Sequence, residues 1–130
     1  MSRPAFTDHL TVRVRDYEAS KRFYIAALAP FNPKVYEIEV YGIEGLSFGI
    51  GPEGSEDFWF AAGEPNGPVH VAFAAPDRET VDAFHAAALA AGGRDNGAPG
   101  LRPQYHAGYY GAYVLDPDGN NVEAVYHDRD

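Results

Sequence analysis

The chain contains a gapless internal repeat, which restricts the folds open to it more than any other feature of its sequence. With His9 aligned on His70, eight of 21 positions are identical through Ala29 and Ala90. In each copy, alternating apolar residues predict a strand, an aspartate follows where a helix N-cap is expected, and apolar residues then recur at helical spacing. The repeat therefore predicts two modules that each begin with a strand and a helix.

Short strand-like runs follow each predicted helix. They are Lys34–Tyr41, Ser47–Gly51, Asp57–Ala61, Tyr110–Leu115 and Asn121–Tyr126. The two modules, at about 5–62 and 67–127, are joined by Gly63–Pro68, which is too short to separate independent domains. We therefore predict an α+β fold, in which residues 1–130 form a single domain made of two β-α-β-β-β modules.

The segment Gly92–Gly108 is rich in glycine and proline, and its pattern does not predict a clear strand. Loops of this length that lack secondary structure are usually functional or disordered. We therefore expect this segment to be a mobile flap near the site.

Composition narrows the possible partners and the possible site chemistry. The formal net charge of −9 disfavours nucleic acid, and no apolar run approaches the roughly 18 residues that a membrane span requires. The chain has no cysteine, so that any metal must be held by imidazole and oxygen. No signal peptide is visible, and we expect a cytoplasmic protein with a small-molecule partner, and neither a nucleic acid nor a membrane.

Glu123 lies within the apolar run of the last predicted strand, where an ionised side chain is costly unless it is paired or binds a metal. Alternation places His9 and His70 on the strand faces that do not pack under the helices. Two imidazoles and one carboxylate suit Fe, Mn, Ni, Co or Zn. The three residues are either the ligands of a divalent metal or two ordinary strand histidines with an exposed glutamate.

Paired β-α-β-β-β modules, each opened by histidine, with DPDGNNVE near the end, resemble the vicinal oxygen chelate superfamily. This superfamily includes glyoxalase I, fosfomycin-resistance proteins, extradiol dioxygenases and bleomycin-resistance proteins. The resemblance spans about Phe6 to His127 and implies a curved mixed sheet with helices outside and a ligand-binding concave face. It also implies a homodimer.

The same resemblance implies a set of metal ligands. His9 and His70 match the two first-strand ligand positions, and Glu123 matches the position in the last strand. The fourth position lies near Trp59 to Ala62, where no side chain is a ligand, so that the four-ligand pattern of glyoxalase I is broken. The remaining set resembles that of the extradiol dioxygenases and the fosfomycin-modifying enzymes.

Part of the segment YHAGYYGAYVLDPDGNNVE resembles the extradiol dioxygenase signature through His106, Tyr113 and Glu123. His106 and Tyr113 are therefore the predicted catalytic residues, with cross-strand packing as the alternative for the tyrosine and a plain loop position for the histidine. Arg102 is expected either to contact an anionic substrate or to lie on the surface. His127 receives no role.

Two functions follow from these features. The first is a metal-dependent vicinal oxygen chelate enzyme that acts on a small oxygen-bearing substrate, with dioxygenase-, lyase- or isomerase-like chemistry. The alternative is a metal-free protein of the bleomycin-resistance type, an acidic dimer that sequesters a cationic small molecule.

Overall fold

The computed structural model describes residues 7–31, 36–42, 45–52, 56–65 and 67–129. Each half of the chain runs strand, helix, strand, strand, strand, so that the fold is α+β with two repeated modules, as the sequence predicts. The elements are β1 (Leu10–Val14), α1 (Tyr17–Leu28), β2 (Tyr36–Gly42), β3 (Gly45–Gly51), β4 (Phe58–Ala62), β5 (His70–Ala74), α2 (Arg78–Ala90), β6 (Arg94–Leu101), β7 (Tyr109–Leu115) and β8 (Asn121–His127).

Hydrogen bonding divides the eight strands into two four-stranded sheets with matching order. The first sheet is ordered β1-β4-β3-β2 and the second β5-β8-β7-β6. In both sheets the first strand of the module pairs parallel with the last, and the other neighbours are antiparallel. This arrangement puts His70 and Glu123 on adjacent strands, because β5 pairs with β8.

Both helices begin at the predicted aspartate caps. The Asp16 carboxylate accepts a hydrogen bond from the Ala19 amide at 3.0 Å, and the Asp77 carboxylate accepts one from the Thr80 amide at 2.8 Å. Such caps satisfy amide donors that the first helical turn leaves free. The second helix stops before Gly92, whose φ of +99° is the left-handed conformation that favours glycine at a helix end.

The core consists of the inner faces of both sheets and the apolar faces of the helices. Its largest buried aromatic side chains are Phe23, Tyr24, Phe60 and Phe84. Phe31, three residues after the end of α1, packs edge-on against Phe84, so that one aromatic cluster spans both modules. Burial of each such ring contributes about 1.5–3 kcal/mol, which favours packing of the two modules against each other.

Trp59 lies on the opposite face of the first sheet, which carries no helix. A Cβ atom at Gly49 would lie 2.7 Å from the Trp59 ring, so the indole covers a position where only glycine fits. The indole Nε1 donates to the Glu56 carbonyl oxygen at 2.9 Å. These contacts fix the ring flat against β3.

The prediction of a mobile flap at Gly92–Gly108 is wrong for Arg94–Leu101, which forms β6 and pairs with β7. The register shifts twice along this pair, between Asp95 and Gly97 and between Gly97 and Gly100. Gly97 has a φ of +155°, which lets the backbone bulge and resume pairing. The irregular pairing hides the alternation that would have predicted a strand.

Among the described residues, no helix combines the length and the apolar character that crossing a membrane requires.

Candidate functional site

The second sheet has one face under α2 and one face without a helix, which we call the open face. Strand alternation and register place Glu123 on the open face beside Ala72 of β5 and Tyr113 of β7. His70 lies two residues before Ala72 and therefore shares this face. Tyr109, four residues before Tyr113 on β7, also belongs to it.

Glu123 is only 1% exposed, and both of its carboxylate oxygens have partners. Oε1 lies 2.8 Å from His70 Nε2, and Oε2 accepts a hydrogen bond from the Tyr109 phenol. A Cβ atom at Gly111 would lie 3.2 Å from Oε2, so the glycine leaves room for the carboxylate. These contacts explain why the sequence tolerates a charge inside an apolar strand.

The two tyrosines beside Glu123 have raised pKa values. Burial raises the pKa of Tyr109 most, and its hydrogen bond to Glu123 adds to the effect because it favours the protonated phenol. Burial also raises the pKa of Tyr113, whose phenol interacts with that of Tyr109. Both phenols are therefore proton-bearing hydrogen-bond donors at neutral pH.

A pair of histidines lies at one end of the open face. His106 Nε2 is 2.9 Å from His127 Nδ1, and the two rings stack with centroids 5.2 Å apart. The pKa of His127 is lowered, first by burial and then by the charges of Arg129 and His106. His127 received no role from the sequence, although its position four residues after Glu123 on β8 places it on the same face.

His9 stands apart from this cluster. Its Nδ1 lies 2.7 Å from Asp8 Oδ1, and its side chain is 57% exposed. In the part of the chain that the structure describes, no three His, Cys, Asp or Glu side chains gather closely enough to hold one metal ion. Within one chain the structure thus brings together two of the three predicted ligands, His70 and Glu123.

These two residues fit two ligand positions on one ion. Metal bonds to imidazole nitrogen and carboxylate oxygen are about 2.0–2.2 Å long, so ligand atoms on one ion lie a few Å apart. The 2.8 Å between His70 Nε2 and Glu123 Oε1 is within that range.

The family model that describes the glyoxalase/bleomycin resistance protein/dioxygenase superfamily matches residues 7–124. The chain belongs to this superfamily. The resemblance predicted from the repeat and from the DPDGNNVE segment is thereby confirmed. No curated protein matches this chain.

Other solved structures share the fold. A glyoxalase/bleomycin resistance protein from Albidiferax ferrireducens is 31% identical, with a TM-score of 0.75 over 95% of this chain and 100% of that one. A glyoxalase/bleomycin resistance protein/dioxygenase family enzyme from Burkholderia phytofirmans is 22% identical, with a TM-score of 0.70 and coverage of 95% and 100%. An antibiotic binding protein from Streptomyces is 19% identical, with a TM-score of 0.67 and coverage of 98% and 100%. The last two likenesses show the fold alone.

Proposed function

We propose that this superfamily member is a metal-dependent enzyme that acts on a small oxygen-bearing substrate at the open face of the second sheet. The observation that carries the proposal is the 2.8 Å contact between His70 Nε2 and Glu123 Oε1. A neutral imidazole and a carboxylate that converge on one face are the donor types of Fe, Mn, Ni, Co and Zn sites. The reaction is dioxygenase-, lyase- or isomerase-like.

The third ligand in this proposal is His9 of a second copy of the chain. Among the described residues of one chain, no third His, Cys, Asp or Glu side chain joins His70 and Glu123, whereas the exposed imidazole of His9 is available to a neighbouring molecule. A two-fold symmetric pair would contain two equivalent sites, each built from both copies. The proposal therefore requires a homodimer.

The chain's own residues supply hydrogen bonds and proton transfer around the site. When bound, the ion would polarise adjacent oxygens of the substrate. Tyr109 and Tyr113 donate hydrogen bonds at neutral pH, because their raised pKa values keep the phenols protonated. The His106–His127 pair can hold and pass one proton, because one ring must donate and the other accept at 2.9 Å. His106 and Tyr113 are thus the proposed catalytic residues.

Metal analysis of untagged protein purified without chelators tests the metal proposal. We expect about one ion per site, and its loss in His70→Asn and in Glu123→Gln. His85→Asn is the matched control, since His85 pairs with Asp95 away from the open face. A full metal content in both site variants would contradict the proposal.

Mixing two variants tests whether the site is shared between chains. In a pair of one His9→Asn chain and one Glu123→Gln chain, one site has all three ligands and the other lacks two. With random pairing about one quarter of the wild-type metal content should therefore return. Within a single chain, each site would keep one defect and no metal would return.

The second candidate function is a metal-free protein that sequesters a cationic small molecule. It is favoured by the contacts that both Glu123 oxygens make with side chains of the chain itself, which stabilise the buried carboxylate without an ion. The net charge of −9 and the tyrosines of the open face suit a cationic aromatic ligand. An antibiotic binding protein from Streptomyces has the same fold.

The two functions give opposite results in one experiment. Protein without metal that binds a cationic aromatic dye tightly and saturably is a sequestering protein. Protein with one ion per site that does not bind the dye is the proposed enzyme. Berberine, which is cationic and aromatic, is a suitable dye.

A further inference from the structure

Arg102 follows β6 directly and is fixed beside the open face by its backbone. Its amide donates to the Tyr109 carbonyl oxygen at 2.8 Å, and its carbonyl oxygen accepts from the Tyr105 amide at 3.0 Å. The phenol of Tyr109 contacts Glu123, so Arg102 is tied to β7, the strand beside the buried carboxylate. The position of Arg102 relative to the site is therefore set by strand pairing.

Two glycines make room for the Arg102 side chain. A Cβ atom at Gly100 would lie 3.1 Å from its Nη1. One at Gly97 would lie 3.4 Å from its Nη2 and 2.8 Å from the Tyr113 ring. The guanidinium carbon stands 5.3 Å from the centroid of the Tyr113 ring, where the cation is attracted by the aromatic face. Substituents at either glycine would press on the side chain.

The Arg102 guanidinium has more N–H donors than the hydrogen bonds it makes within the described part of the chain. Nη2 donates to the Ala98 carbonyl oxygen at 2.7 Å and Nη1 to the Leu101 carbonyl oxygen at 3.4 Å. A guanidinium has five N–H donors, and its planar fork suits two parallel hydrogen bonds to a carboxylate. Within the described part of the chain, no carboxylate pairs with Arg102. A half-buried cation is thus held in place by neutral carbonyl groups, with most of its donors unused.

We propose that Arg102 binds a carboxylate group of the substrate, which makes the substrate a small hydroxy or oxo carboxylic acid. This inference rests on the proposed function, because it places the oxygens next to that carboxylate at His70 and Glu123. Tyr113 lies between the two subsites: its ring centroid is 6.2 Å from that of His70, and the Arg102 guanidinium lies over the same ring. Arg102 is then the residue that selects acids over neutral analogues.

The acidic surface does not prevent this selection. The net charge of −9 is spread over the whole chain, and physiological salt screens exposed charges beyond about 8 Å. At contact distance the attraction of the Arg102 guanidinium outweighs the repulsion from the acidic surface, since no described carboxylate neutralises the guanidinium. The acidic field lowers the rate at which an anion arrives more than it lowers the strength of the final contact.

Two acid–amide pairs of matched shape serve as probes: salicylate with salicylamide, and pyruvate with pyruvamide. Binding to chelator-treated protein is measured by nuclear magnetic resonance from the Arg102 Nε–H signal, and by calorimetry for the variants. At least one acid should bind roughly ten- to a hundredfold more tightly than its amide, the range of a charge-assisted hydrogen bond. Arg102→Gln should abolish that preference, and Arg102→Lys should keep only part of it.

Arg22→Gln is the control, because Arg22 is exposed on α1, and it should keep the full preference. Equal binding of acid and amide, no binding of either acid, or a preference that survives in Arg102→Gln would each overturn the inference. The outcome is separable from the metal proposal, since the probes are tested without metal. Arg102→Gln protein purified without chelators should contain as much metal as the wild type.

Discussion

The Tyr24 phenol donates a 2.5 Å hydrogen bond to Asp116 Oδ2 and thereby joins α1 of the first module to the turn between β7 and β8 of the second. Both side chains are buried, and Tyr24 is fully so. Burial raises the pKa of Tyr24 most, and the Asp116 charge raises it further. Asp116 also accepts hydrogen bonds from the amides of Asp118 and Asn120, so the contact holds the turn as well as the module interface.

Tyr24→Phe should destabilise the whole chain. The substitution keeps the ring and removes one buried hydrogen bond to a charged acceptor, which costs about 1–3 kcal/mol. Chemical denaturation should show this as a lower midpoint with an unchanged slope. Tyr41→Phe is the control, because Tyr41 is 83% exposed, and it should change the stability by less than about 0.5 kcal/mol. Equal stabilities of the two variants would mean that the contact does not join the modules.

Glu123→Gln should reduce the affinity for the metal at least tenfold, because it removes the charge of a ligand. It should not unfold the protein. The amide has the size of the carboxylate, and we expect a stability loss of about 1 kcal/mol from the weakened contacts to His70 and Tyr109. Metal titration followed by thermal denaturation measures both quantities.

The matched control is Glu37→Gln, an exposed position on β2, which should leave both quantities unchanged. A large fall in melting temperature for Glu123→Gln, with metal content unchanged, would make Glu123 a purely internal acceptor.

The buried phenols should resist titration at high pH. Tyr109 and Tyr24 have raised pKa values in the folded chain, whereas an unfolded tyrosine ionises near about pH 10. Protonated phenols are thus favoured by folding, and this stabilisation is present below about pH 10 and is lost as the pH rises above it. Phenolate absorbance should therefore show a late group of tyrosines that appears only as the protein unfolds. Tyr109→Phe should shrink this late group; a late group of unchanged size would contradict the assignment.

Amide exchange should divide Gly92–Gly108 into two parts. Amides of β6 that pair with β7 should exchange slowly even without ligand, whereas exchange in residues 102–108 should slow when a substrate analogue binds. His106→Ala should then reduce turnover more than metal affinity, because His106 contacts His127 and neither of the paired ligand residues. Identical exchange with and without ligand, together with full activity of His106→Ala, would make the turn a simple spacer.

The fold was predictable because the repeat and the helix caps are local patterns. Asp16 and Asp77 cap the helices from within three residues, and the alternating runs flank them directly. The strand β6 was missed because its register shifts twice around Gly97, and a bulged strand rich in glycine and proline has no period to detect.

The site was predictable only in part, because its contacts depend on register. The proximity of His70 to Glu123 follows from the parallel pairing of the first and last strands of a module. The His106–His127 contact joins a turn to the far end of β8, 21 residues away, and no periodicity in the sequence encodes that distance. The separation of His9 from this cluster depends on how whole modules pack, which local patterns do not specify.

Trp59, whose ring packs flat over Gly49, gives the molecule an intrinsic fluorescent probe. It is the chain's single tryptophan, and it lies on the first sheet, whereas the tyrosines of the site lie on the second. Excitation of the indole therefore reports on one half of the molecule alone. In a pair of chains that share sites, its emission would change when a ligand fills the second sheet's face, and the fluorescence of unmodified protein would read out assembly and occupancy together.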